Sequence, residues 1–173
     1  MQTYQPSKLR YLTIAALFAA TITIFIVVFR VPMGIHGGMI HVGDAIIYLA
    51  AVMLPKPYAL AAAAIGGGMA NVVTGTLIWA PATIIIKPLI AASFTSNGKM
   101  LCARNIVALF IGAAITIVGY YLYAVMVFGS WQAPLPDMLG NLVQSSASAG
   151  VFVLLAAAFE RMNIKNRLGL GTI

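Results

Sequence analysis

Long apolar runs, separated by short polar turns, constrain the fold of this chain more than any other feature. The first run continues from Tyr11 to Phe29 without a single charged side chain. A soluble domain normally carries about 25% charged residues, whereas this chain has 8% charged and 62% hydrophobic residues. Such a chain has too little polar surface to cover a globule in water. The sequence therefore predicts an integral membrane protein.

Six of these runs are candidate membrane spans. A spanning helix needs roughly 20 apolar residues, and a shorter one suffices where flanking groups reach the interface. The predicted spans are residues 9–29, 41–54, 58–75, 82–95, 104–128 and 137–159. We expect an all-α membrane protein, a six-transmembrane-helix bundle, formed by a single integral membrane domain over residues 1–173.

The distribution of positive charge predicts the orientation. With six spans, both termini share one side of the membrane with the turn after span two and the loop after span four. That side holds eight of the ten basic residues: Lys8, Arg10, Lys56, Lys99, Arg104, Arg161, Lys165 and Arg167. Positive charge near span ends marks the cytoplasm, so both termini are predicted to be cytoplasmic. The net charge of +7 then reflects topology, and we expect no nucleic-acid partner.

Apart from Arg10, Arg104 and Asp137 at the very ends of spans, two charged residues lie inside predicted spans. Asp44 and Lys87 are each about one helical turn from the outer boundary, on spans two and four. An isolated charge within a bilayer costs several kcal/mol. The two side chains could form an ion pair, or Lys87 could contact a ligand while Asp44 orients His41. The sequence leaves both interpretations open.

Other polar and aromatic side chains in the outer halves of the spans predict a binding pocket. Asn141, Gln144 and Ser148 share one helical face. Tyrosines of span five could face this amide stripe, and rings with amides suit a flat heterocycle. Asn71 either joins two helices or contacts a ligand. The predicted substrate-binding residues are His36, His41, Asn71, Trp79, Lys87, Tyr120, Tyr123, Asn141, Gln144 and Ser148.

Catalytic and nucleotide-binding motifs are not apparent in the sequence. His36 and His41 are five residues apart on a glycine-rich turn, which is a weak metal pattern. We expect no enzymatic activity, no cofactor and no metal. Energy for transport would come from another subunit or from an ion gradient. The alternatives are a self-sufficient ion-coupled transporter or channel, and an intramembrane enzyme that uses His36, His41 and Asp44.

Four alanines in the first span form two overlapping small-residue stripes: Ala15, Ala16, Ala19 and Ala20. Small residues allow helices to approach closely in lipid. The stripes could serve internal packing, or they could dock a partner membrane protein.

The segment His41–Ala45, the alanine- and glycine-rich third span, and the segment Trp79–Lys87 carry a resemblance to a known family. They resemble the S components of energy-coupling factor (ECF) vitamin transporters, in the group with riboflavin, hydroxymethylpyrimidine or pyridoxine as substrates. The resemblance implies a plasma-membrane subunit that binds a vitamin at its external face, under the first loop. It also implies that the alanine stripes dock on a transmembrane coupling subunit, which works with two ATPase subunits. Acids are scarce in the outer halves of the spans, which disfavours a cationic vitamin. A single Lys87 and several amides suit a neutral or oxygen-bearing ring, and a ligand of pyridoxine or pyrimidine type is favoured.

Overall fold

The computed structural model describes residues 7–33 and 38–170, and these residues are mostly helical. The helices are α1 (Lys8–Val28), α2 (Asp44–Met53), α3 (Lys56–Thr74), α4 (Ala80–Ser93), α5 (Ala103–Phe128), α6 (Leu135–Arg161) and the short α7 (Ile164–Arg167). A 3-10 turn, Leu77–Trp79, leads into α4. Helices α1 to α6 begin and end within three residues of the apolar runs in the sequence.

Within the described residues, three helices are long and apolar enough to cross a membrane. They are α1, α5 and α6, while α2 and the segment Leu77–Ser93 are shorter apolar helices. The predicted helical membrane protein is confirmed at this level, and the count of six spans stays a prediction. Proline determines where the short helices meet: α2 ends at an extended Leu54, and α3 begins with Pro57 in its first turn. A proline in the first turn needs no backbone donor there.

A two-stranded antiparallel hairpin follows α1, and the expectation of an all-helical chain did not include it. Strand β1 (Arg30–Met33) pairs with β2 (Gly38–His41), with Arg30 opposite His41 and Val31 opposite Ile40. The strands satisfy one another's backbone groups, which would otherwise need water or another partner. His36, which falls between the two strands in the sequence, lies outside the described residues.

Helix α2 forms the centre of the bundle. All ten of its residues are buried, and it contacts α1, α3, α4 and α6. Tyr48 stacks on Phe94 with ring centroids 5.0 Å apart. Because protein surrounds α2 on all sides, its length does not have to match the thickness of the bilayer.

Helices α1 and α3 approach each other more closely than larger side chains would permit. A Cβ atom on Gly66 would lie 2.7 Å from the carbonyl oxygen of Ala19 and 2.8 Å from Ile22 Cβ. At the same point the Thr23 hydroxyl donates to the carbonyl of Gly66 at 3.0 Å. The glycine thus permits backbone contact, and a side-chain hydrogen bond crosses it.

Candidate ligand-binding site

A cavity lies between the hairpin and helices α3, α4, α5 and α6, beside the start of α2. Its empty volume is about 610 Å³, including open solvent at its mouth. Six of the predicted binding residues line it: His41, Asn71, Trp79, Tyr120, Asn141 and Gln144. Their role in binding stays a prediction, but the fold brings them to one place.

A buried ion pair lies beneath the cavity. Lys87 Nζ is 2.7 Å from Asp44 Oδ1, and the two side chains are 1% and 0% exposed. The second carboxylate oxygen, Oδ2, accepts a hydrogen bond from Gln144 Nε2 at 2.9 Å. Both oxygens of Asp44 are therefore engaged by protein groups. Lys87 is not among the residues that line the cavity, and its role in ligand binding stays a prediction.

The end of the hairpin is attached to α6 by two hydrogen bonds. The backbone N–H of His41 donates to Gln144 Oε1 at 3.3 Å. The Ser148 hydroxyl donates to the carbonyl of His41 at 3.5 Å. Ser148 thus positions the cavity lip without lining the cavity. The His41 side chain is buried, and its Nδ1 has no hydrogen-bond partner among the described residues.

Aromatic rings form one wall of the cavity. The Trp79 ring centroid is 6.2 Å from that of Tyr120 and 5.9 Å from that of Tyr123. Tyr123 does not line the cavity. Its hydroxyl donates to the carbonyl of Ile78 at 2.5 Å, which holds the segment before Trp79 in place. The Tyr120 hydroxyl is 3.0 Å from that of Thr83. Tyr120 and Trp79 therefore offer ring surface, and Tyr123 supports it from behind.

Asn71 reaches the cavity from the last turn of α3. Its Oδ1 accepts a hydrogen bond from the Thr76 hydroxyl at 3.0 Å. Its Nδ2 is buried and has no partner among the residues that the structure describes. Gly75, with φ of 73°, adopts the left-handed conformation that turns the chain back over the helix end. This turn brings Thr76 onto the Asn71 carboxamide.

The cavity lining also includes residues that the sequence analysis did not predict. They are Ile26, Gly38, Met39, Gly67, Thr83, Ala124 and Asp137. Gly67 gives the clearest sequence signal, because it belongs to the triple glycine of α3. A Cβ atom there would lie 2.8 Å from Thr83 Cγ2 and 3.2 Å from Lys87 Cγ. The glycine lets α4 approach α3 directly behind the cavity.

A second, apolar groove runs along the outside of α1 and α3. Ala15 and Ala19 are buried at its base, whereas Ala16 and Ala20 are exposed. Thus one of the predicted stripes packs against α3, and the other remains on the surface. Docking of a partner on this groove stays a prediction.

A helical bundle rich in apolar surface that encloses a polar and aromatic cavity defines a membrane-embedded protein that binds a small molecule. A family model described as "ECF-type riboflavin transporter, S component" matches residues 7–161. The chain belongs to this family, which confirms the predicted resemblance. It is a substrate-binding transport subunit of the plasma membrane and not an enzyme. S components of ECF transporters work with a membrane coupling subunit and two ATPase subunits. No curated protein matches the sequence significantly.

Proposed function

We propose that this S component captures a flat, neutral, vitamin-like heterocycle, and that pyridoxine- or pyrimidine-type compounds are its substrates. The observation that carries the proposal is the cavity itself. Ring surface from Trp79 and Tyr120 lies in the same cavity as the amides of Asn71, Asn141 and Gln144. Stacking surface supplies affinity, while a few polar groups fix the orientation of a small ligand.

The buried ion pair supports a neutral ligand. Had the ammonium of Lys87 been unpaired, it would have favoured an anionic or strongly oxygen-bearing substrate. Instead, the Asp44 carboxylate neutralises it at 2.7 Å. With Lys87 paired, the groups that would select the ligand are the amides and aromatic residues of the lining, together with Asp137.

Six spans with both termini in the cytoplasm are part of the same proposal. Helices α2, α3 and α4 would complete the count, and α2 can be short because protein neighbours rather than lipid surround it. The hairpin and the cavity would then face outward. We expect an impermeant thiol reagent added to right-side-out vesicles to label Gln132→Cys but not Lys99→Cys, both in a Cys102→Ser background. The reverse labelling pattern would contradict this topology.

The docking surface for the coupling subunit would be the groove between α1 and α3. Its exposed alanines, Ala16 and Ala20, allow a partner helix to approach the backbone of α1. Its lining is almost entirely apolar, with Leu12, Ile24, Ile65 and Met69 among the residues around the alanines. This surface is separate from the cavity, so docking and ligand binding can be tested independently.

Equilibrium binding to the purified protein tests the proposal. We would titrate it with pyridoxine, 4-amino-5-hydroxymethyl-2-methylpyrimidine and riboflavin, and follow tryptophan fluorescence and the heat of binding. One of the first two should bind saturably at or below the micromolar range. If riboflavin bound most tightly, the proposed substrate class would be wrong, but the proposed binding site would stand. The absence of saturable binding of all three would refute vitamin capture. Uptake by this chain alone, driven by an ion gradient, would instead support the self-sufficient transporter.

A further inference from the structure

Two threonines outside the cavity lining determine how Asn71 meets a ligand. Thr74 and Thr76 flank the left-handed Gly75, and their hydroxyl oxygens lie 2.8 Å apart. The Thr76 hydroxyl is 3.0 Å from Asn71 Oδ1, while Asn71 Nδ2 has no partner among the described residues. The Thr74 hydroxyl also donates to the carbonyl of Ala70 at 2.8 Å. Three short polar contacts therefore form one chain from the helix backbone to the cavity.

The number of hydroxyl protons determines the direction of the hydrogen bonds in this network. Each hydroxyl has one proton to donate. If Thr74 donates its proton to the Ala70 carbonyl, then only Thr76 can supply the proton between the two hydroxyls. Thr76 then has no proton left for Asn71, and must accept one from the carboxamide. In the structure Asn71 Oδ1 occupies the position beside Thr76, so this direction requires a half-turn of the carboxamide. The half-turn brings Nδ2 to Thr76 and Oδ1 to the cavity, at the same heavy-atom positions.

If the hydrogen bonds ran in the opposite direction, one of the three contacts would lack a proton. If Thr76 donates to Asn71, Thr74 must donate to Thr76. The 2.8 Å contact between the Thr74 hydroxyl and the Ala70 carbonyl would then have no proton between two oxygens. Oxygens at that distance without a proton repel one another, and buried polar groups are nearly always paired. The direction from Asn71 through Thr76 and Thr74 to Ala70 places a proton in every contact.

We infer that Thr74 and Thr76 lock the Asn71 carboxamide with its oxygen toward the cavity, so that the ligand must present an N–H or O–H donor there. This inference rests on the proposed function. In it, Asn71 is the residue that contacts the ligand, and the two threonines are positioning residues. A ring amino, imide or hydroxyl group would satisfy the position, whereas a bare ring nitrogen or carbonyl would not.

Substitutions that preserve shape test the polarity of Asn71. The best-binding probe among pyridoxine, the aminopyrimidine and riboflavin would be titrated against Asn71→Asp and Asn71→Leu. Asn71→Asp keeps an acceptor oxygen toward the cavity and adds a negative charge, so affinity for a probe with an N–H or O–H donor should be retained or increased. Asn71→Leu removes the acceptor, and loss of one hydrogen bond should weaken binding on the order of tenfold. Equal affinity for Asn71→Leu, or a loss above tenfold for Asn71→Asp, would overturn the inference.

The positioning role of the threonines has its own readout. In Thr74→Val, Thr76 has its proton free for Asn71, so the carboxamide can turn and present nitrogen to the ligand donor. Affinity should fall on the order of tenfold in Thr74→Val, and this effect should vanish in the Asn71→Asp background. Thr116→Val is the matched control, since Thr116 is buried, donates to the carbonyl of Gly112 and does not line the cavity. Similar losses in Thr74→Val and Thr116→Val would contradict a positioning role.

A measurement without ligand separates this inference from the proposed function. In protein labelled with ¹⁵N-asparagine, the Asn71 amino signal is assigned by its loss in Asn71→Asp. Those protons should exchange slowly with solvent, and at least tenfold faster in Thr76→Val. Exchange that is unchanged by Thr76→Val would mean that the amino group faces the cavity, and would overturn the inference whether or not a vitamin binds. Absence of vitamin binding together with slow, Thr76-dependent exchange would refute only the proposed function.

Discussion

Replacement of Lys87 by methionine tests the most consequential interaction in this bundle. The change keeps the length of the side chain and removes its charge, which leaves the Asp44 carboxylate buried with Gln144 as its remaining partner. Both members of the ion pair are almost fully buried, at 1% and 0% exposure. Breaking a buried pair by removing one partner costs about 3–5 kcal/mol. Lys87→Met should therefore destabilise the protein strongly.

The expected size of the effect can be stated as a melting temperature. For a chain of this length, each kcal/mol corresponds to about 2–4 °C, so Lys87→Met should lower Tm by about 6–20 °C. Thermal unfolding in detergent, followed by tryptophan fluorescence, measures it. Lys56→Met is the matched control, because Lys56 is exposed at the start of α3. A surface substitution of this kind changes stability by about 0.5 kcal/mol or less.

The double variant Asp44→Asn/Lys87→Met separates loss of the pair from loss of packing. Replacing both partners with neutral groups leaves no buried charge, and such replacements are often close to neutral. The double variant should therefore be more stable than Lys87→Met alone. It should also bind ligand within a few-fold of the unmodified protein, because Lys87 does not line the cavity. A double variant less stable than the single, or a Lys87→Met shift below 2 °C, would refute this reasoning.

Three further predictions concern the wall of the cavity, the docking groove and the contact between α1 and α3. Trp79→Leu should weaken ligand binding by about 2- to 13-fold, the equivalent of 0.5–1.5 kcal/mol for an aromatic pair. Trp131→Leu, on an exposed loop, should leave binding unchanged, and ligand titration of both variants tests this. Ala20→Trp should abolish uptake in liposomes that contain the coupling and ATPase subunits, while the Kd for the ligand stays unchanged. A parallel loss of ligand binding would mean that Ala20 belongs to the internal packing. Gly66→Ala should lower stability by about 1–3 kcal/mol through overpacking, while Gly150→Ala, where a Cβ meets nothing within 4 Å, should be neutral or stabilising by thermal unfolding.

The helices could be predicted from the sequence because their signal is local. Apolar runs that end at prolines, at glycines or at charged residues define helix ends without knowledge of any partner. The hairpin could not be predicted in the same way. Arg30–Met33 and Gly38–His41 are only four residues each, and neither shows a clear alternation of apolar and polar residues. Pairing across strands is what stabilises such segments, and the register of that pairing is not a local property.

The candidate site was predictable in its composition but not in the division of roles. Lys87, Ser148 and Tyr123 have the same polar or aromatic character as residues that line the cavity. The structure instead places them beneath it, beside its lip and behind its wall. Whether such a side chain lines the cavity or lies behind it depends on how the helices pack against one another, over distances of about one helix radius. A single sequence contains no direct information on such distances, although the paired positions of Asp44 and Lys87 at similar depth already permitted the ion pair.

One network of side chains connects the floor of the cavity to its lip. Gln144 donates to Asp44 through Nε2 and accepts from the backbone of His41 through Oε1. The carboxamide is therefore used at both ends, and its orientation is determined by the charge of Asp44. Because Lys87 stabilises that charge, the end of the hairpin is held in place by an ion pair that the ligand does not need to touch. A polar cavity can exist in this apolar bundle because the groups beneath it satisfy one another, while His41 and Asn71 at its surface keep polar atoms available for a guest.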